Sequence, residues 1–236
     1  MSDRPSQFPV ARRSFFSRLG AGLTAFGAGL VTAQTTGAAQ STEGHLWQPS
    51  RHAQDDWLDQ MPGKHRLVFD TTNPLGLGNV MLFANNYFLA NQAGYGVSKA
   101  DIAVVIVVRH GSTAFAFNDA IWSKYGAPMA KRVSFEDPKT KQPPTVNLYN
   151  SAAHAGLLPN RNNTLDGLAK LGVQLAVCQM ATRANAVAIA EATGGKAESI
   201  FDELAANLVA NSRLVPAGIV TVNRAQERGY SLAYAG

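Results

Sequence analysis

Ile102-Ala103-Val104-Val105-Ile106-Val107-Val108 is an unbroken apolar run rich in Val and Ile, preceded by Asp101 and followed by Arg109-His110-Gly111-Ser112-Thr113. Such a run suits a strand buried on both faces, the situation of a strand inside a parallel sheet. Upstream, Arg66-Leu67-Val68-Phe69-Asp70 is a second short apolar run beginning at about His65, and Thr71 to Gly78 is a turn-rich exit loop. Val80, Phe83, Ala84, Tyr87 and Phe88 then keep the spacing of a helix with one buried face, which Gly94 and Gly96 end. Downstream, a helical stretch carries Phe115, Phe117, Trp122 and Tyr125 and is expected to stop at Gly126. Strand and helix therefore alternate, the signature of an α/β fold.

Residues 127–162 lose regular pattern, with Pro138, Pro143, Pro144 and Pro159 among polar side chains; excursions of this length are flaps, interfaces or disordered segments. Regularity returns with a short helix over Leu165–Leu171 and a third strand over Val173–Cys178. Met180–Ala192 reads as a helix closed by Gly194-Gly195, and Phe201, Leu204, Ala205, Leu208 and Val209 repeat the one-faced spacing. Leu214-Val215 gives a fourth strand, Ile219–Arg228 a helix stopped by Gly229, and Tyr230–Ala235 a closing strand. Parallel strands joined by right-handed helical crossovers give a three-layer α/β sheet with helices on both faces.

The N-terminus is read separately, as a targeting segment. Arg12-Arg13 is followed by Ser14, Phe15 and Phe16, and Leu19 to Ala33 carries no charge. The order of basic then apolar residues is that of an export signal, and the paired arginines resemble a twin-arginine signal, with Ala11 where Ser or Thr is usual. An apolar stretch of 15 residues, at about 1.5 Å each, does not cross a hydrocarbon core of about 30 Å, so no stable membrane span is expected. Val31-Thr32-Ala33 and Gly37-Ala38-Ala39 both suit a signal peptidase. The expected organisation is a signal peptide over 1–39, a loosely packed linker over 40–64, and one α/β domain over 65–236.

The formal charge of +5 falls to +2 once residues 1–39 are set aside, with 17 basic against 15 acidic residues. A near-neutral chain offers no electrostatic basis for nucleic-acid binding. A single cysteine, Cys178, excludes an intramolecular disulfide.

Val173-Gln174-Leu175-Ala176-Val177-Cys178, Leu214-Val215-Pro216-Ala217-Gly218-Ile219-Val220 and Gln226-Glu227-Arg228-Gly229-Tyr230 resemble the DsrE/DsrF-like family, over roughly residues 65–236. The resemblance implies a mostly parallel five-stranded sheet and assembly into homotrimers or homohexamers. It also implies persulfide sulfur on a strand-end cysteine, whose matching position is Cys178, and with it a sulfur donor or acceptor protein as partner. With the export signal, this implies a periplasmic protein that carries or transfers sulfur, or senses thiol oxidation, through Cys178.

Independently of the resemblance, Cys178 lies where an apolar strand meets a helix start, where unpaired backbone N–H groups stabilise a thiolate. The opposing reading is a buried inert thiol. Arg183, five residues on, is a candidate neighbour. His110 lies at the carboxyl end of the second strand, the edge at which open α/β sheets bind ligands, and would share it with Thr71, Thr72 and Cys178; a Cys178–His110 pair would be an activated thiol. His45, His52, His65 and His154 lack metal-site spacing, and neither metal nor cofactor is expected. Gly76-Leu77-Gly78 lacks the third glycine of a dinucleotide turn, and no Gly-x-Ser-x-Gly elbow occurs. The aromatic group around Trp122 reads as core. The rival to sulfur chemistry is a non-catalytic oligomer that binds a small ligand or partner and merely packs Cys178.

Overall fold

The computed structural model describes residues 47–154 and 156–236, so the expected signal over 1–39 and the start of the linker lie outside the described residues. The strands are β1 (His65–Thr71), β2 (Ile102–Val108), β3 (Gln174–Cys178), β4 (Ser212–Val215) and β5 (Ser231–Ala235). They form one sheet in the order β4-β3-β2-β1-β5, and every adjacent pair is parallel. The helices are α1 (Trp57–Gln60), α2 (Pro74–Tyr95), α3 (Asp119–Arg132), α4 (Leu165–Lys170), α5 (Gln179–Thr193), α6 (Ala197–Ala206) and α7 (Gly218–Gln226).

Strand order dictates the layers. From β1 to β4 the chain advances steadily toward one edge, so right-handed crossovers place α2 to α6 on one face; from β4 to β5 it turns back across three strands, so α7 lands on the other. Alternate residues of the strands serve the two cores. Phe69, Val104, Ile106, Leu175 and Val177 face the thick layer, and Val68, Val105, Val107, Ala176 and Val215 face α7 and α1. All of β2 is buried, as expected of a central parallel strand. The three-layer α/β architecture is thus present, with an all-parallel sheet.

Four local expectations are corrected. The stretch 40–64, read as loosely packed, contains α1, whose Trp57 and Leu58 are buried with Met61 against the second face. At four residues it is too short to show a period. The Arg66 guanidinium holds it by donating to the carbonyls of Leu58, Asp59 and Met61, and the Tyr230 hydroxyl donates to Leu58 at 2.7 Å. Secondly, α2 starts inside the supposed exit loop: the Asn73 side chain accepts from the Gly76 N–H at 2.8 Å and Pro74 supplies the preset first residue. Gly76 is needed there for approach, since a Cβ would fall within contact distance of the Ala235 carbonyl. Phe83, assigned to the buried face, is about half exposed, while Val80, Ala84 and Phe88 are buried.

Thirdly, Gly126 does not end α3, which continues through Pro128 to Arg132. A Cβ at Gly126 would run into the Pro144 carbonyl oxygen, so this glycine is a crossing point for the chain and not a stop. Gly126→Ala is expected to destabilise the fold by about 1–3 kcal/mol through overpacking, read as a lower urea midpoint at unchanged slope. Fourthly, the excursion over 127–162 is packed in its middle. Leu148 and Tyr149 are buried, the Asn147 amide donates to the carbonyls of Phe115 and Phe117 at 2.8 Å each, and the Tyr149 hydroxyl donates to the Pro74 carbonyl at 2.6 Å. No helix among the described residues is long and apolar enough to cross a membrane.

Candidate functional site

The reversal that puts α7 on its own face also creates a crevice. β3 leads into α5 on one face and its neighbour β4 leads toward α7 on the other, so the loops leaving these two strands diverge. Diverging loops at the carboxyl edge of an open α/β sheet are where such folds hold ligands. Cys178 is the last residue of β3, in register with Val215 of β4, and precedes α5 in the N-cap position with φ −66° and ψ 111°. Its carbonyl accepts from the Thr182 hydroxyl at 3.0 Å, which fixes the turn, and its side chain is mostly buried.

Cys178 lines a cavity of about 240 Å³ together with Arg109 and His110 after β2, Arg132 at the end of α3, Met180, Ala181 and Ala184 of α5, and Ala217, Gly218 and Ile219 at the start of α7. The apolar side chains form much of its wall, and the polar ones are cationic or titratable. Arg109 is anchored: its Nε and Nη2 donate to the two Asp70 carboxylate oxygens at 2.7 and 2.8 Å. Those hydrogen bonds raise the Arg109 pKa above its ordinary value against the opposing effect of burial, with smaller Coulombic contributions from Asp70, Tyr234 and Cys178. The Arg109 stem lies over Gly218, where a Cβ would approach the Arg109 Cβ to 2.9 Å, so glycine at the start of α7 is what lets the arginine reach the crevice.

His110 adopts φ 51°, in the left-handed region that histidine, like Asn and Asp, enters more often than other residues with a side chain. The turn is held by Gly111 N–H donating to the Thr72 carbonyl at 2.8 Å, and by the Ser112 hydroxyl, which contacts the carbonyls of Arg109 and Thr71.

Of the residues singled out from sequence, Cys178 and His110 share this cavity and the others do not line it. Thr71 is fully buried, and its hydroxyl is engaged by the Val107 carbonyl and the Ser112 hydroxyl, both at 2.9 Å; it braces the loop. Thr72 lies toward the β5 edge, with its hydroxyl 3.0 Å from that of Tyr234. Arg183 turns to α6, bonded to Glu198 at 3.1 Å with its guanidinium 4.0 Å from the Phe201 ring centre, because position five along α5 falls on the side of α6. Arg109 and Arg132 were missed. Arg109 had a signal, since it directly follows the β2 run, whereas Arg132 was hidden by the supposed stop at Gly126.

A larger cavity, about 640 Å³, lies between the start of α2 and the loops around 133–141 and 157–158, and includes neither Cys178 nor a histidine. Among the described residues no group of three His, Cys, Asp or Glu side chains comes together in a metal-binding arrangement. Comparison with protein-family models, with curated proteins and with solved structures finds no match to this chain.

Proposed function

We propose that this chain is an exported DsrE-like protein that carries or transfers sulfur as a Cys178 persulfide, or registers thiol oxidation at the same atom. The observation that carries this reading is the placement of the only cysteine at the crevice where the β3 and β4 loops diverge, in a cavity with Arg109, His110 and Arg132. A thiolate is the form that attacks sulfane sulfur or peroxide. His110 is the candidate proton acceptor for the thiol. In persulfide transfer the thiolate attacks a sulfane sulfur, one S–S bond replaces another and the donor leaves as a thiolate, so no oxidant is consumed. Export by the twin-arginine route to the periplasm and assembly into a homotrimer or homohexamer belong to this proposal, supported by the resemblance of the sequence.

A second reading, a packed thiol in a ligand- or partner-binding oligomer, is favoured by one number, the 7% exposure of Cys178. Intact mass of the protein isolated without reductant, before and after brief iodoacetamide treatment, separates the two. The expected result is added sulfur or oxygen on Cys178, or its fast native alkylation, with both lost in Cys178→Ser. A bare thiol that alkylates only after unfolding favours the packed reading.

A further inference from the structure

The Cys178 cavity has two kinds of wall, and together they specify more than a reactive thiol would. Three side chains from two elements bring positive or titratable character: Arg109 and His110 from the loop after β2, and Arg132 from the last turn of α3. Arg109 spends Nε and Nη2 on Asp70, so its charge is largely balanced, and its Nη1 donates to none of the described residues. Arg132 is exposed, forms no ion pair with the described residues, and lines both this cavity and a neighbouring one that contains Glu191. Its charge is therefore the one not balanced within the described site. Facing these are the side chains of Met180, Ala181, Ala184 and Ile219, with Met180 and Ile219 more than half exposed. A bare inorganic oxyanion would satisfy the cations and waste the apolar wall, whereas a neutral apolar molecule would do the reverse.

We propose that the cavity selects small carboxylates whose short carbon stem carries sulfur, of amino-acid size, and presents that sulfur to Cys178. The carboxylate meets Arg132 and the unspent Nη1 of Arg109, the stem lies on Ala181, Ala184 and Ile219, and the terminal sulfur reaches the thiol. A volume of about 240 Å³ admits such a molecule and excludes a tripeptide thiol held entirely inside. For an alkyl persulfide, the Cys178 thiolate attacks the outer sulfur, the S–S bond of the donor breaks as that of the Cys178 persulfide forms, and the alkyl thiolate departs with the electron pair and takes up the proton lost by Cys178. The proposal rests on Cys178 being a reactive thiol, and its test separates selection from sulfur transfer.

The test compares alkylation of Cys178 in the native full chain by iodoacetate, which carries a carboxylate, and by neutral iodoacetamide of nearly the same size. The ratio of the two rates is referred to the same chain unfolded in urea. Selection predicts that the native ratio exceeds the unfolded one by about tenfold, the scale at which a charged cleft concentrates a small ion, that iodoacetate saturates, and that Arg132→Gln or added salt returns the ratio toward the unfolded value. A native ratio equal to the unfolded one, or one indifferent to Arg132→Gln, overturns the proposal. A thiol inert to both reagents in the native state overturns it together with the functional reading. A raised ratio combined with no sulfur gained from cysteine persulfide, read by intact mass, upholds carboxylate selection and removes sulfur transfer from the function.

Discussion

Trp122→Ala is expected to cost about 3–5 kcal/mol of stability, the range for removing a large fully buried aromatic side chain. Trp122 has no exposed surface, lies 5.1 Å from the Phe115 ring centre, and packs where α3 turns its inner face to the thick layer. Phe115 in turn stacks edge-on with Phe135 at 4.9 Å and Tyr149 at 4.7 Å, so the cavity left by the indole would open beneath the 133–150 segment as well as beneath α3. Urea titration should show a large fall in midpoint with little change in slope. Trp122→Phe is the instructive control. The indole Nε1 is buried and makes no hydrogen bond in the described structure, so Phe loses some volume while removing an unpaired donor, and should cost far less than alanine. If the two variants were equally destabilised, cavity volume would not be the cause.

Asp70→Ala is the second large effect, about 3 kcal/mol, because it strips the bidentate partner from a mostly buried guanidinium. The side chains of Arg109 and Asp70 are 18% and 7% exposed, so water screens the pair only in part. The expected destabilisation comes chiefly from the stranded Arg109 charge. Arg109→Met combined with Asp70→Ala should therefore be more stable than Asp70→Ala alone, a coupling that a double-mutant cycle in urea measures directly. The same substitution frees Arg109 in the Cys178 cavity, so native alkylation by iodoacetate should quicken relative to iodoacetamide while stability falls. Parallel losses in both would mean that the cavity itself had collapsed.

The parts of this fold that could be read from sequence are those in which one force dominates. β2 is apolar on both sides and rich in Val and Ile, which suits a central strand, and the alternation of strands with one-faced helices then pointed to a layered sheet. What failed was punctuation. Gly76, Gly78 and Gly126 look like breaks, but each sits within a helix where another part of the chain comes close, and only the three-dimensional neighbour explains the missing Cβ. α1 was invisible because a single turn has no period, and its burial depends on Arg66, Arg213 and Tyr230, remote or on other elements. The site divides the same way. That Cys178 and His110 would lie together at the carboxyl edge of the sheet was legible from their places at the ends of β3 and β2. Thr71, at another strand end, satisfied the same rule and is spent on bracing, because a hydroxyl can be captured by a nearby carbonyl. Arg183 was judged by sequence distance from Cys178, but the packing of α5 against α6 decided where it went.

The clasp between α1 and the residues that follow α7 has a consequence for the order of events during synthesis. Tyr230 reaches Leu58 across 172 positions of sequence, and Arg228 reaches Asp59 across 169, so the second face of the sheet is sealed by segments made at opposite times. Until residue 230 has left the ribosome, Val68, Val105 and Val107 have no complete cover, and closure of so long a loop delays the last step of folding. For that interval a nascent chain carries an open apolar sheet face. Once the clasp has closed, the folded body is fastened from behind, on the face opposite the thick helical layer.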